Sequence, residues 1–184
     1  MPSGIVADRI TSCSRSTMIK TMFQRSVFLC LLLCASSLVM AAQEVNIFKA
    51  GSYAQFLEQR KNQPFMLVFW SLDCPPCYKE LTILAEETKN QPQLDLVLVS
   101  TDTTDDIKEI QQKLNKFGFT QVDAWVFQNE LAQQLRYEID PNWYGELPRS
   151  YLFDARHKRQ SISGILKPAV LQLWASLQAE TSNQ

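Results

Sequence analysis

Apolar positions along the chain alternate between two spacings. Pro64–Trp70 (Pro-Phe-Met-Leu-Val-Phe-Trp) and Leu94–Ser100 (Leu-Asp-Leu-Val-Leu-Val-Ser) are nearly continuous apolar runs bounded by polar residues. Such runs predict strands buried on both faces. Elsewhere the spacing is helical. Leu81, Leu84 and Ala85 share one face of a helix predicted over Pro75–Lys89, and Ile107, Ile110 and Leu114 one face of Asp105–Phe117. Further helices are predicted over Ser52–Lys61, Asn129–Tyr137 and Pro168–Gln178, with Pro168 suited to a first turn. Asp123–Phe127 reads as a short strand. Arg149–Asp154 and Gln160–Ile165 read as a strand pair around the polar turn Ala155–Lys158. Strands alternating with helices, then a hairpin and a closing helix, predict an α/β fold whose central sheet carries helices on both faces.

The first 42 residues follow a different pattern. Lys20 and Arg25 precede the apolar run Ser26–Ala42, which ends in the small residues Ala41 and Ala42. A basic region, an apolar region and small terminal residues match a secretory signal peptide. The alternative is an uncleaved membrane anchor, since the run is at the short end of what spans a bilayer. Met18 or Met22 is an alternative start. The expected organisation is therefore residues 1–42 as signal peptide or anchor and residues 43–184 as one domain, in a periplasmic or otherwise exported protein. Cys30 and Cys34 are preceded by Leu29 and Leu33, not by the small residue a lipid-attachment site wants.

Charge narrows the partners. The whole chain of 184 residues has a formal net charge of −1. Residues 1–42 hold Arg9, Arg15, Lys20 and Arg25 against Asp8, so the remainder keeps 14 basic and 18 acidic side chains, a net charge of −4. A clustered basic footprint for nucleic acid is not expected.

Of the five cysteines, Cys13, Cys30 and Cys34 fall in the N-terminal segment, leaving Cys74 and Cys77 in the domain. A bridge closing so short a loop removes little chain entropy, so the pair is better explained by chemistry than by stability. Cys74 follows the first core strand, where the chain turns into a helix. Reaction sites in open α/β sheets gather at such strand ends. At a helix start the first thiol faces solvent and the second lies on the next turn. Backbone N–H groups and the helix dipole favour a thiolate there. That thiolate attacks a disulfide and the second cysteine resolves the mixed disulfide. Pro75 and Pro76 fit the first helical turn, where N–H groups lack helical partners. Zinc also uses C-x-x-C, but a closed site needs four ligands, and the only histidine, His157, lies far along the chain in a polar turn.

The segment Phe69–Glu80, with its C-x-x-C-x-x-E pattern in Cys74, Cys77 and Glu80, resembles the thioredoxin superfamily, specifically TlpA/ResA-like periplasmic thiol–disulfide oxidoreductases. The resemblance covers roughly Gln63–Leu177 and implies a thioredoxin-like fold with an extra strand–helix unit, Asp123–Tyr137. It implies a cis-proline at Pro148, in Leu147-Pro148-Arg149-Ser150-Tyr151-Leu152-Phe153-Asp154, with a backbone edge beside Cys74 for substrate. It implies proton transfer through Glu80, and no cofactor beyond the Cys74–Cys77 disulfide. Two positions depart from the pattern. Val68 stands where thioredoxins usually carry an acidic residue, and Asp73 where a tryptophan commonly precedes the first cysteine. Asp73 is a candidate helix cap whose charge would oppose the thiolate, which argues against a strongly oxidising protein. Trp143, Tyr144 and Gly145 either line a recognition groove with Leu147 and Pro148 or pack on the core. Trp125 and Trp174 read as core.

The expected activity is reduction of disulfides in client proteins, with electrons from a membrane thiol carrier of the DsbD or CcdA kind. Oxidation or isomerisation of clients is the alternative within the same chemistry. Cu(I) binding by the two thiols is the alternative outside it.

Overall fold

The computed structural model describes residues 43–181; the N-terminal segment of residues 1–42, with its candidate signal peptide and three cysteines, lies outside the described residues. Among the described residues no helix is long and apolar enough to cross a membrane.

The chain runs β1 (Val45–Phe48), α1 (Ser52–Gln59), β2 (Phe65–Trp70), α2 (Pro75–Asn90), β3 (Leu96–Ser100), a 3-10 turn (Thr104–Asp106), α3 (Ile107–Phe117), β4 (Asp123–Phe127), α4 (Ala132–Ile139), β5 (Arg149–Phe153), β6 (Arg159–Ser163) and α5 (Pro168–Thr181). The six strands form one sheet in the order β1-β4-β3-β2-β5-β6. β1, β4, β3 and β2 are parallel, β5 runs antiparallel to β2, and β6 antiparallel to β5.

Strand side chains alternate between faces, so one apolar run supplies two cores. Met66, Val68 and Trp70 of β2 join Leu96 and Leu98 of β3, Leu81 and Leu84 of α2, Ile110 and Leu114 of α3, and Leu171 and Trp174 of α5. Phe65, Leu67 and Phe69 point the other way, to Phe48, Phe56 of α1, Leu135 and Ile139 of α4, Trp143 and Tyr151. This second face is aromatic: Phe65 stacks on Phe153 with centroids 4.3 Å apart, and Phe69 lies 4.7 Å from Trp143. All six residues of β2 are buried, as the continuous run predicts.

Several boundaries differ from the sequence expectation for local reasons. β1 was not predicted: its four residues are too few to show a period, and pairing with β4 makes it a strand. The helix expected from Asp105 opens as a 3-10 turn, because Thr103 and Asp106 exchange capping hydrogen bonds. The helix expected from Asn129 starts at Ala132. The Asn129 side chain instead accepts from the Thr104 N–H and hydroxyl, both at 2.8 Å. β6 ends at Ser163, not Ile165, because Gly164 adopts φ +83°, outside strand geometry. Trp174 is core as expected, whereas Trp125 is half-buried, its indole N–H donating to Asp123.

A charged cluster lies against the aromatic face. Asp140 Oδ2 accepts from Arg149 Nη2 at 2.9 Å and from the Tyr151 hydroxyl at 3.1 Å, and Oδ1 lies 3.4 Å from Arg159 Nη2. Arg149 also reaches Glu146 and Ser163. Burial alone would push the Asp140 carboxyl up, but the Asn142 backbone N–H, Arg149 and Tyr151 outweigh it and hold it below the usual range. Removing one partner of such a buried pair leaves the other charge uncompensated, which costs about 3–5 kcal/mol. Asp140→Ala is therefore expected to lower the unfolding free energy by about 3 kcal/mol, measured by denaturant titration. A loss within about 0.5 kcal/mol, the level of an ordinary surface substitution, would contradict a structural role for the cluster.

Candidate active site

Cys74 and Cys77 form a disulfide, with Cα atoms 5.3 Å apart. Pro75 and Pro76 occupy the first two positions of α2, and Cys74 is its N-cap: its sulfur accepts the Cys77 N–H at 3.3 Å. Cys74, not the expected Asp73, thus caps the helix. Asp73 is an exposed neighbour whose N–H bonds the Ser71 hydroxyl at 3.2 Å. Of the two cysteines, Cys74 is the more accessible, at 7% against 0% for Cys77. The sulfur aimed at the helix mouth is also the one on which an anion gains most from the helix N-terminus.

The segment leading into Cys74 is held at both sides. The Leu72 N–H donates to Asp102 Oδ2 at 2.9 Å and the Ser71 hydroxyl to Asp102 Oδ1 at 3.0 Å. The Leu72 carbonyl accepts from the Tyr78 hydroxyl on the first turn of α2. Sequence reasoning did not find Asp102 or Tyr78 as part of the site. The one signal was position: Asp102 follows the C-terminal end of β3, beside the end of β2.

Glu80 lies one turn beyond Cys77, where i and i+3 share a helix face. It is 1% exposed, not a solvated helix carboxylate. Its Oε1 accepts from the Ser150 hydroxyl on β5, and its Oε2 meets no hydrogen-bond partner among the described residues. Burial pushes the carboxyl up to about 7; the Ser150 hydroxyl and the nearby Leu166 N–H pull the other way without prevailing. Ser150 pairs with Val68 across the sheet. The helix thus delivers an acid to the part of the core where Val68 leaves the strand without one.

The Leu147–Pro148 peptide bond is cis. Pro148 is buried and precedes β5, whose Arg149 pairs with Phe69 near the end of β2, so it lies at the sheet end from which Cys74 departs. The Pro148 carbonyl accepts the Gly164 N–H at 2.9 Å. Leu147 is half-buried and packs against both cores, the one containing the cysteines included. Trp143 corrects the groove expectation. It is 3% exposed, packs on Phe69, and its indole N–H donates to the Glu146 carbonyl at 2.9 Å. Its large ring finds more apolar contact in the aromatic face than a loop surface offers. Tyr144 is the exposed aromatic of this loop, at 88%. No group of three or more His, Cys, Asp or Glu side chains able to hold a metal ion occurs among the described residues.

The raised carboxyl of Glu80 gives a signed expectation. Between its ordinary value of 4.5 and about 7, the folded protein holds a proton that the unfolded chain releases. Stability contributed by the protonated carboxyl is therefore full below about pH 4.5 and is lost as pH rises through about 7. Glu80→Gln in the oxidised protein is expected to match wild type near pH 4 and to gain on it by about 3 kcal/mol by pH 8. Unfolding free energies across that range measure the difference. A difference that does not vary with pH would contradict the buried, proton-holding carboxyl.

A model of the AhpC/TSA family matches residues 41–162. No curated protein matches the chain. Among solved structures, a secreted Mycobacterium tuberculosis disulfide oxidoreductase, described as homologous to E. coli DsbE, is 15% identical with a TM-score of 0.51, over 65% of this chain and 85% of its own. A thiol:disulfide interchange protein of the thioredoxin family from Chlorobium tepidum is 16% identical with a TM-score of 0.50, over 66% and 83%. StoA from Bacillus subtilis is 25% identical with a TM-score of 0.46, over 62% and 84%. At these identities the likeness to the first two is one of fold, and it agrees with the sheet order and the helix layers described above. The family match covers the β2–α2 unit with its cysteine pair and the strands around it, and the chain belongs to the AhpC/TSA family, with the thioredoxin fold.

Proposed function

We propose that the protein is an exported thiol–disulfide oxidoreductase that reduces disulfides of client proteins through Cys74 and Cys77. One observation carries the proposal: the two cysteines form a disulfide at the N-terminus of α2, with the more accessible sulfur as the cap and a buried carboxyl one turn beyond the other. In the reduced protein the Cys74 thiolate attacks a client disulfide. A Cys74–client S–S bond forms and the second client sulfur leaves as a thiolate, which takes a proton. Cys77 then gives its proton to the Glu80 carboxylate and attacks Cys74. The Cys74–Cys77 bond forms, the client bond breaks, and the first client sulfur leaves as a thiolate. Two electrons have passed to the client. A carboxyl near 7 changes protonation at neutral pH, which suits Glu80 to accept that proton. The backbone edge at Leu147 and Pro148 is the proposed place for the client chain to lie, and Trp143 supports that loop from within. Client thiolate departs because a new S–S bond has replaced the old one, so no cofactor is needed within the exchange itself.

A reductase in an oxidising compartment must be re-reduced from outside, and a membrane thiol carrier of the DsbD or CcdA kind would supply the two electrons. Export itself rests on the basic-then-apolar pattern of residues 20–42. Asp73, an exposed carboxylate next to the nucleophile, opposes the thiolate and favours the reducing direction.

Cys77→Ala is expected to accumulate mixed disulfides through Cys74, because nothing resolves them; Cys74→Ala is expected to accumulate none. Mass spectrometry of the trapped adducts reads the attachment site. Adducts through Cys77 in the Cys74→Ala protein, with none in the reciprocal variant, would reverse the assigned roles.

A further inference from the structure

The geometry points to Asp102 as a positioning residue for Cys74, a role that rests on the disulfide-exchange reading above. We infer that its carboxylate holds the Ser71–Leu72 segment so that the Cys74 sulfur stays on the helix N-terminus.

Five hydrogen bonds fix the path from the end of β2 to the nucleophile. The Thr101 N–H donates to the Trp70 carbonyl at 2.9 Å, which ties the ends of β3 and β2 together. The two oxygens of Asp102 then take the Ser71 hydroxyl and the Leu72 N–H. Ser71 passes the constraint forward, since its oxygen accepts the Asp73 N–H and its carbonyl accepts the Cys74 N–H at 3.3 Å. Asp102 is itself held, because the fully buried Ser100 hydroxyl donates to Oδ2 and the Asp102 N–H donates back to Ser100 Oγ at 3.0 Å. The side chain therefore accepts three hydrogen bonds, two of them from the segment that precedes the nucleophile.

The choice of a carboxylate here calls for a reason. Asp73 already stands beside Cys74 and Glu80 one turn beyond Cys77, so a third acid near this end of α2 opposes a thiolate. Lys79 on α2 is exposed, and Lys113 on α3 lies over the Tyr78 ring at 4.6 Å. What a carboxylate offers in return is capacity: its lone pairs take several donors at once, and charge-assisted bonds are roughly twice as strong as neutral ones. The positional gain outweighs the electrostatic cost only if holding Ser71 and Leu72 matters to Cys74.

Position and charge predict opposite signs, which makes the role testable in the full chain. The reduced protein is alkylated with iodoacetamide across pH, and the rate at Cys74 is followed by mass spectrometry. Asp102→Ala is expected to slow Cys74 alkylation about tenfold at pH 7, the effect of moving its titration up by about one pH unit. Asp102→Asn keeps an oxygen for the Leu72 N–H and is expected to stay within about twofold of wild type. Ser71→Ala removes the hydroxyl's two links, to Asp102 and from the Asp73 N–H, while leaving the Leu72 link, and is expected to slow the reaction about threefold, which keeps the test decisive if Asp102→Ala fails to fold. Faster alkylation in both Asp102 variants would show that charge, not position, is the effect and would overturn the role. So would unchanged rates in all three variants with only a lower melting temperature. A wild-type protein that alkylates no faster than free cysteine would overturn the exchange reading together with this one.

Discussion

Strand β2 is paired along both edges and buried on both faces, and the remaining architecture depends on that double burial. Because its side chains alternate, one six-residue strand anchors α2, α3 and α5 on one face and α1, α4 and the aromatic cluster on the other. A strand held this way cannot slip, since a shift of one residue would exchange the two faces. Its C-terminal end is therefore a fixed point. Cys74 departs from that point, Asp102 reaches it from β3, and Pro148 reaches it from β5.

The site is assembled from three parts of the sheet end, each supplying one condition for thiol chemistry. The start of α2 supplies an anion-favouring position, with Cys74 as the cap and prolines in the two positions that need no N–H. β5 supplies the cis Leu147–Pro148 edge and, two residues on, the Ser150 hydroxyl. The core supplies a low-polarity setting in which Glu80 remains protonated to about 7. Val68, opposite Ser150, shows how the parts compensate. The strand carries no acid there, and the helix brings one to the same region from one turn beyond Cys77.

What was legible in the sequence is what depends on local pattern. The apolar runs at Phe65–Trp70 and Leu96–Ser100, the helical spacing of Leu81, Leu84 and Ala85, and the cysteine pair at a strand-to-helix turn all declare themselves within a dozen residues. The layered α/β fold follows from them. What was not legible depends on register between distant strands. Asp102 matters because β3 pairs with β2, and the Asp140–Arg149–Tyr151 cluster exists because the loop after α4 folds back over β5. Trp143 could be assigned to groove or core only once Phe69 was seen beneath it, since an aromatic residue in a loop has the same sequence signature in both settings. Asp73 is a candidate cap because carboxylates commonly cap helices, but the turn places the Cys74 sulfur there instead.

The direction of electron flow is the central claim, and the reduction potential of the Cys74–Cys77 couple tests it most directly. A strong oxidant near about −120 mV owes its potential to a highly stabilised reduced form, whereas reductases of the thioredoxin kind lie near about −270 mV. Asp73, the exposed carboxylate beside Cys74, works against a highly stabilised thiolate. Equilibration of the oxidised protein against graded glutathione or dithiothreitol ratios is expected to give a value more negative than about −200 mV. A value near about −120 mV would contradict the reductase account, while leaving the fold and the cysteine pair in place.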